Sequence, residues 1–444
     1  MKCILAGLCA ACLLVSCSEN SETADLHLSN AEFTWDATVR EQSLAVATPS
    51  RWTMKSDVNW CVPWKSTGTS GEQVKLWVSP NLTSTARTGT LTVSSGGSVK
   101  FVKLTQPAFT GDVDGYEYVL PVVFHVFYAD STDEQQYVRK GWLAQLLTKV
   151  NSLYRSNNIG VTFEMAACTQ DGEELEEPGV MRHRITSESF DPQAFIAGKG
   201  EAKELAKYQQ NLRRFINVHV FRFSHKDDGD GSWSLGITNM PYTTTAHPLD
   251  SLHAMPGIEN YTHISTPWGV CINNEAIYSL SERTVHRTDD VSVTLAHELG
   301  HYLGLLHTFS EVGCSEDDAC SDTPICDYTA YREQVERMID DYIRFYGEDY
   351  QRRLTLEQLA LRENCLEAGK TYTANNVMDY NYCLSNKLTP QQRMRIRHVL
   401  NYVPLVPGPK LVDYSTKTTR SASEIKPVPS RCPTLPARPL SVAP

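Results

Sequence analysis

The sequence predicts a multidomain chain, an N-terminal all-β sandwich followed by a mixed α/β domain, and three observations carry that reading. Residues 25–108 hold six short runs that alternate apolar with polar residues. Residues 109–404 alternate apolar, strand-like runs with segments of helical period. The 444 residues, 41% hydrophobic, exceed what one core of about 100 to 200 residues accommodates.

The opening stretch, MKCILAGLCAACLLVSCSENSE, places a basic residue before an apolar run from Cys3 to Val15. The run is shorter than the ~20 apolar residues a membrane span needs, so residues 1–16 read as a signal peptide. LVSC at Leu14–Cys17 resembles the lipobox of bacterial lipoproteins. That resemblance implies acylation of Cys17, a tether over residues 17–24, and an exported protein held to a membrane only by its lipid.

The six runs of the sandwich are EFTWDA, SLAVATP, RWTMKS, QVKLWVSPN, TGTLTVSSG and VKFVKLTQ. Gly, Pro, Asn and Ser turns separate them at the spacing of a small sandwich. NWC ending at Cys61, Asn81 before RTGTLTV, and the closing LTQ at Leu104–Gln106 resemble the BACON-type domain of Bacteroidetes surface proteins. The resemblance implies carbohydrate binding, for which Trp35, Trp52, Trp60, Trp64 and Trp77 would supply a stacking face; in so small a sandwich most tryptophans are expected in the core.

A Gly/Asp linker at 111–115 leads to YVLPVVFHVFY, a buried strand, then GWLAQLLTKVNSLYRS at helical spacing and IGVTFEMAAC as the next strand. RFINVHVFRF supplies a further strand and GVCINNEAIY an edge strand. Between residues 329 and 362 a charged, periodic segment reads as one or two surface helices. A last helix follows Thr389 as N-cap with Pro390 in its first turn. Residues 405–444, rich in Pro and Ser, read as a disordered tail.

The stretch TLAHELGHYLGLLHTF, residues 294–309, carries the chemistry. Asp289 or Asp290 caps a helix running to about Leu303, and Val291, Leu295 and Leu299 form its core-facing stripe. His297 and His301, one turn apart on another face, converge on one ion, and zinc suits imidazole nitrogens at about 2.0 to 2.1 Å. Gly304 ends the helix in a turn that returns His307 as third ligand, leaving the fourth position of a catalytic zinc for water. Glu298, offset beside the first ligand, is placed as the general base. A bare His-Glu-x-x-His arises by chance in about 2% of such chains, and the glycine and third histidine lower this to roughly a few in 100,000.

The full pattern resembles the signature of the metzincin metallopeptidases. NNVMDYNYC at 375–383 is similar to their methionine turn, which implies Met378 as the apolar floor under the imidazoles and Tyr380 as an oxyanion donor. LPVVFHVFY, Cys314 soon after the third histidine, DTP at Asp322–Pro324, NVMDY and LTPQQRMR resemble the pappalysin/cytophagalysin family over residues 116–403. The resemblance implies a zinc endopeptidase with one catalytic Zn²⁺, acting on proteins or peptides. Tyr382 stands where relatives that prefer basic residues carry an acid, so that preference is not carried over. The family also admits Ca²⁺, for which SEDDACSD and KDDGDGS offer oxygens without the EF-hand layout.

The remaining features bound partners and compartment. A net charge of −11 without any basic cluster excludes nucleic acid. Beyond Cys17 nine cysteines remain, and export makes disulfides the expected state. Cys314, Cys320, Cys326, Cys365 and Cys383 are candidates; five is odd, so one is unpaired or pairs with a distant residue such as Cys271. Cys61 and Cys168 read as buried thiols, with Cys61 also a candidate to block the metal in a latent form. Together these predict a lipoprotein at the outer membrane or cell surface. The alternative is an adhesin or glycan-binding lipoprotein with an inactive or latent peptidase-like domain, against which the intact Glu298 argues.

Overall fold

The computed structural model describes residues 25–224, 233–264, 266–282, 286–414, 420–422, 434–435 and 441–442. The leader, Cys17, the tether, the acidic run at 226–232 and Cys432 lie outside the described residues. Among the described residues no helix is long and apolar enough to cross a membrane.

Each of the six alternating runs forms a strand. One sheet orders His27–Leu28, Glu41–Ala47, Glu72–Val78 and Cys61–Pro63; the other orders Glu32–Thr34, Ser98–Gln106, Arg87–Ser95, Trp52–Ser56 and Thr67–Gly68. Residues two apart, such as Leu44 and Val46 or Leu91 and Val93, are fully buried in one cluster, as the period of a strand requires. Gly96 and Gly97, at φ 54° and 86°, close the long hairpin because a two-residue turn between twisted strands needs positive φ.

The tryptophans do not form an exposed stacking face. Trp35, Trp52 and Trp60 are core residues, and Trp64 and Trp77 are half-buried with the Arg214 guanidinium 4.7 and 5.2 Å from their rings. Cys61 belongs to the same core, where burial pushes its thiol up to about 12. A thiolate to block a metal is disfavoured there.

The second domain is built on a sheet ordered Val161–Met165, Tyr118–Tyr128, Ile216–Phe221, Val270–Asn273 and Gly236–Thr238, with Val180–Arg184 also pairing on Tyr118–Tyr128. All pairings are parallel except that of Gly236–Thr238 with Val270–Asn273. The expected edge strand is therefore interior: all four residues of Val270–Asn273 are buried, and Gly236–Thr238 takes the edge. One face of the sheet, with Val122, Phe124, Val126, Val218 and Val220, packs on the helices Trp142–Ser156 and Val291–Tyr302 in the main core. The other face carries Phe127, Phe221 and Cys271 in a second cluster.

Two expectations are corrected. The insertion is more than surface helices: Tyr328, Tyr331 and Val335 of Tyr328–Tyr346, with Leu354, Leu356 and Leu359, form a core against Phe309 and Tyr380. The segment after residue 404 is not disordered throughout. Leu405, Val406 and Tyr414 are buried, and the short strands Arg420–Ala422, Thr434–Leu435 and Ser441–Val442 pair with Tyr261–Ile264, Trp233–Ser234 and His286–Arg287. Backbone pairing needs no apolar side chains, so composition hid it.

Candidate metal centre

The helix Val291–Tyr302 starts at Asp290, whose Oδ1 accepts from the Ser292 and Val293 amides at 2.8 and 3.4 Å. Val291, Leu295 and Leu299 are essentially fully buried, and the Tyr154 hydroxyl donates to the Ala296 carbonyl at 3.0 Å, tying the helix to its neighbour. The end is set by Gly304 at φ 90°. Its amide donates to the His301 carbonyl and the Leu305 amide to the Gly300 carbonyl, both at 2.9 Å, the two bonds of a glycine-closed helix end. A side chain on Gly304 would also meet Val399 at 2.7 Å.

That turn brings the three histidines together. The Nε2 atoms of His297, His301 and His307 lie 3.0, 3.0 and 3.2 Å apart, and among the described residues this is the group of three that could hold a metal. His297 Nδ1 donates to the Val377 carbonyl and His301 Nδ1 to the Leu305 carbonyl, each at 2.8 Å. Both Nε2 atoms therefore present bare lone pairs to each other, an arrangement that a shared cation reconciles. Tetrahedral ligands at about 2.0 to 2.1 Å from zinc stand about 3.3 Å apart, close to the observed triangle. Burial lowers His297 to about 4 and, with His297 beside it, holds His301 well below the usual imidazole range, which keeps both imidazoles in the neutral, ligating form.

Glu298, fully buried, follows the first ligand. Against it lies Gly236 of the edge strand: a Cβ there would sit 2.7 Å from Glu298 Cγ and 3.0 Å from Oε1. Met378 is buried, and a Cβ on Gly300 would come within 2.5 Å of its sulfur, so the helix and the methionine turn close-pack only through a glycine. Tyr380 reaches the same place, its ring 4.5 Å from that of His307 and 5.6 Å from that of His297.

Sequence reading missed four supporting residues. Gly236 had only the weak signal of a glycine in a short strand. Arg395, within the quoted LTPQQRMR, donates to the Gly304 carbonyl at 3.1 and 3.3 Å and fixes the turn. Asp379 accepts from Arg362 Nη1 at 2.8 Å, and Arg362 Nη2 donates to the Tyr380 carbonyl at 2.8 Å.

Of the disulfide candidates, Cys314 and Cys365 are joined. Closing a loop of that length stabilises by about 4 kcal/mol on chain-entropy grounds. Cys271, Cys320, Cys326 and Cys383 are outside any disulfide, a correction with a structural reason. Cys271 sits among Phe127 and Phe221, away from the others; Cys326 and Cys383 both lie near the Arg362–Asp379 pair, but Cys326 faces Arg362 Nη1 and Cys383 donates to the Asn376 carbonyl at 3.2 Å. The run at 315–322 gathers no metal group among the described residues; Asp318 instead accepts from the Cys320 amide and the Thr323 hydroxyl of its own loop at 3.1 and 2.7 Å.

Two cavities flank the triad. An open cleft of about 630 Å³ is lined by His301, His307, Met240, Tyr242 and Phe309. A recess of about 40 Å³ lies beside His297 and Tyr380, walled by Leu235, Thr294 and Ser385.

Residues 271–401 match the peptidase M43 family model, described as Pregnancy-associated plasma protein-A, a pappalysin family within the metzincins. That family is zinc-dependent. Residues 50–107 match the BACON model, described as "Putative binding domain, N-terminal". No match was found among curated proteins. Similar solved structures include a Bacteroides ovatus GH5 xyloglucanase in complex with a XXXG heptasaccharide, at 14% identity over 46% of this chain and 57% of that one, TM-score 0.19. The periplasmic chaperone SfaE matches at 9% identity over 20% of this chain and 59% of its own, TM-score 0.17. A Bacteroides thetaiotaomicron protein solved by NMR matches at 20% identity over 21% of this chain and 97% of its own, TM-score 0.16. This chain spans little more than half the length of the first two, and likenesses at these TM-scores carry no argument about fold or function.

Proposed function

We propose that the protein is a zinc-dependent endopeptidase acting on extracellular proteins or peptides, with Glu298 as its general base. The observation that carries this reading is the triangle of three Nε2 atoms at 3.0 to 3.2 Å, two of its imidazoles, His297 and His301, fixed by Nδ1 donation to backbone carbonyls, with a buried glutamate one residue from the first ligand. The M43 match over the same residues supports it.

His297, His301 and His307 would hold the zinc, which when bound would supply a Lewis acid for the scissile carbonyl and a water with its pKa lowered to about 7. Glu298 takes the proton of the attacking water and passes it to the leaving amine as the C–N bond breaks. Tyr380 places a donor where the oxyanion develops, a contribution of about 10²-fold or more in rate. Gly236–Thr238, as the last strand of its sheet, offers a backbone edge along which an extended substrate adds. The recess of about 40 Å³ beside His297 suits a small side chain next to the cleaved bond.

The leader and LVSC support export and anchoring at Cys17, and the Cys314–Cys365 bridge fits an oxidising compartment. The test is digestion of an unbiased peptide mixture, read by mass spectrometry, by wild type, chelator-treated protein and Glu298→Ala. Cleavage lost in both of the latter supports the reading and reports the subsites. Equal silence of wild type and Glu298→Ala in protein carrying one zinc would leave the binding-protein alternative.

A further inference from the structure

The sandwich and the α/β domain meet at a seam that forms an open pocket of about 190 Å³. Its walls come from three distant parts of the chain: Trp77 and Arg87 of the sandwich, Arg213 and Arg214 before the strand Ile216–Phe221, and Lys410 from the segment after the last helix. Four cations thus face one small space. Asp413 is the single carboxylate among the lining residues.

Buried cations normally meet carboxylates, since an uncompensated charge out of water is costly. Only Arg214 of the four is buried; their hydrogen bonds go to neutral acceptors, while the Asp413 carboxylate acts on Arg87 and Asp171 on Arg214. Arg87 donates to the Gln106 side chain at 2.6 and 2.9 Å and to the Ser79 carbonyl. Arg213 donates to the Glu259 and Tyr261 carbonyls at 2.8 Å, and Arg214 to the Gln170 carbonyl at 2.9 Å. Lys410 donates to the Leu400 and Pro407 carbonyls at 2.8 and 3.4 Å. Donor capacity is left over: Nε and Nη2 of Arg214, a residue only 7% exposed, and Nε of Arg213 have no hydrogen-bond partner. Burial first, and then Arg213, lowers the Lys410 ammonium to about 7.

We propose that this seam binds a small organic anion, a molecule with one ring and one carboxylate or sulfate group, which neutralises the cation cluster and ties the two domains together. The space equals about six waters at about 30 Å³ each, too large for a bare oxyanion and suited to one six-membered ring with its acid group. Trp77, with the Arg214 guanidinium 5.2 Å from its ring, gives the space one flat wall against which a ring can lie, and domain junctions are a usual place for small-molecule sites. Nothing in the argument depends on the histidine triad.

The experiment is isothermal titration of the full chain with sodium glucuronate, sodium sulfate and glucose, repeated on Lys410→Met, Arg87→Gln and Lys410→Arg. The expected result is binding of glucuronate and not glucose, weakened about tenfold in Lys410→Met and restored in Lys410→Arg. Sulfate binding with the same dependence on Lys410 also supports the anion site and assigns a sulfate-bearing ligand. Arg87→Gln serves as the readout if Lys410→Met does not fold. Absence of binding by both anions, equal binding of glucose and glucuronate, or affinities unmoved by the variants would overturn the proposal.

Discussion

Arg362 and Asp379 form an ion pair at 2.8 Å with side chains 0% and 2% exposed. One residue ends the helical insertion and the other directly follows Met378, so the insertion holds the methionine turn from behind. Arg362 also donates to the Tyr380 carbonyl and lies 4.0 Å over the Tyr331 ring. A buried pair adds little net stability, yet removing one partner strands the other charge at a cost of about 3 to 5 kcal/mol. Arg362→Met is expected to lower unfolding free energy by that amount, and Arg362→Met with Asp379→Leu to recover much of it. Denaturant melts of the full double-mutant cycle measure this; additive losses would show that the pair is not coupled.

Gly236 sets the position of Glu298. A methyl group there would lie 3.0 Å from Oε1 and closer still to Cγ, so Gly236→Ala must push the carboxylate aside or move the edge strand. A misplacement of about 1 Å at a catalytic group costs on the order of 10²-fold in rate. The expected outcome is a drop in kcat of about that size with zinc content, read by atomic absorption, unchanged. Full activity in Gly236→Ala would show that Glu298 does not depend on this contact.

The difference between Gly304 and Gly236 explains what was legible in the sequence. Gly304 belongs to one continuous local program: the Asp290 cap, the stripe of Val291, Leu295 and Leu299, and the two histidines one turn apart all lie within a few residues, where helix geometry alone fixes who meets whom. Gly236 acts on Glu298 across a strand pairing, and Arg362 acts on Asp379 across a folded insertion. Those partnerships depend on tertiary packing that no period or spacing encodes. The interior position of Val270–Asn273 was hidden likewise, because its covering strand is only three residues long.

Acid is expected to destabilise the α/β domain through a histidine cluster away from the triad. His125 Nε2 pairs with Asn217 Oδ1 at 2.9 Å and its Nδ1 with His183 Nε2 at 3.1 Å. Burial lowers His125 to about 4 and, with His125 and Lys207 nearby, His183 to about 3. The unfolded chain, titrating near 6.5, binds more protons than the folded one between these values, so stability rises with pH in that window. The contribution is present above about pH 6.5 and lost as pH falls toward 4, about 3 kcal/mol for His125 alone. Melts of wild type and His125→Asn at pH 7.5, 5.5 and 4.5, with saturating zinc in every sample, check this. A pH slope as steep in the variant as in wild type would count against it.

The C-terminal strands bear on access to the cleft. Thr434–Leu435 pairs with Trp233–Ser234, directly before the edge strand that carries Gly236, and Ser441–Val442 pairs with His286–Arg287. Leu235, His286 and Arg287 all wall the recess beside His297 and Tyr380. Two backbone edges at the rim of that recess are thus already paired within the chain, and a substrate that adds along Gly236–Thr238 and runs on past Leu235 competes with the first of these pairings. Net hydrogen bonds contribute about 0.5 to 1.5 kcal/mol each, so displacing that pairing costs on the order of tenfold in apparent affinity. Removing residues 415–444 is expected to lower KM on a cleaved peptide by about that factor while kcat holds, because the triad and Glu298 are untouched. A synthetic peptide of residues 430–444 added to the truncated enzyme should raise KM again in a competitive pattern. If truncation leaves KM where it was, these pairings do not restrict the site; if kcat collapses, the strands are part of its scaffold.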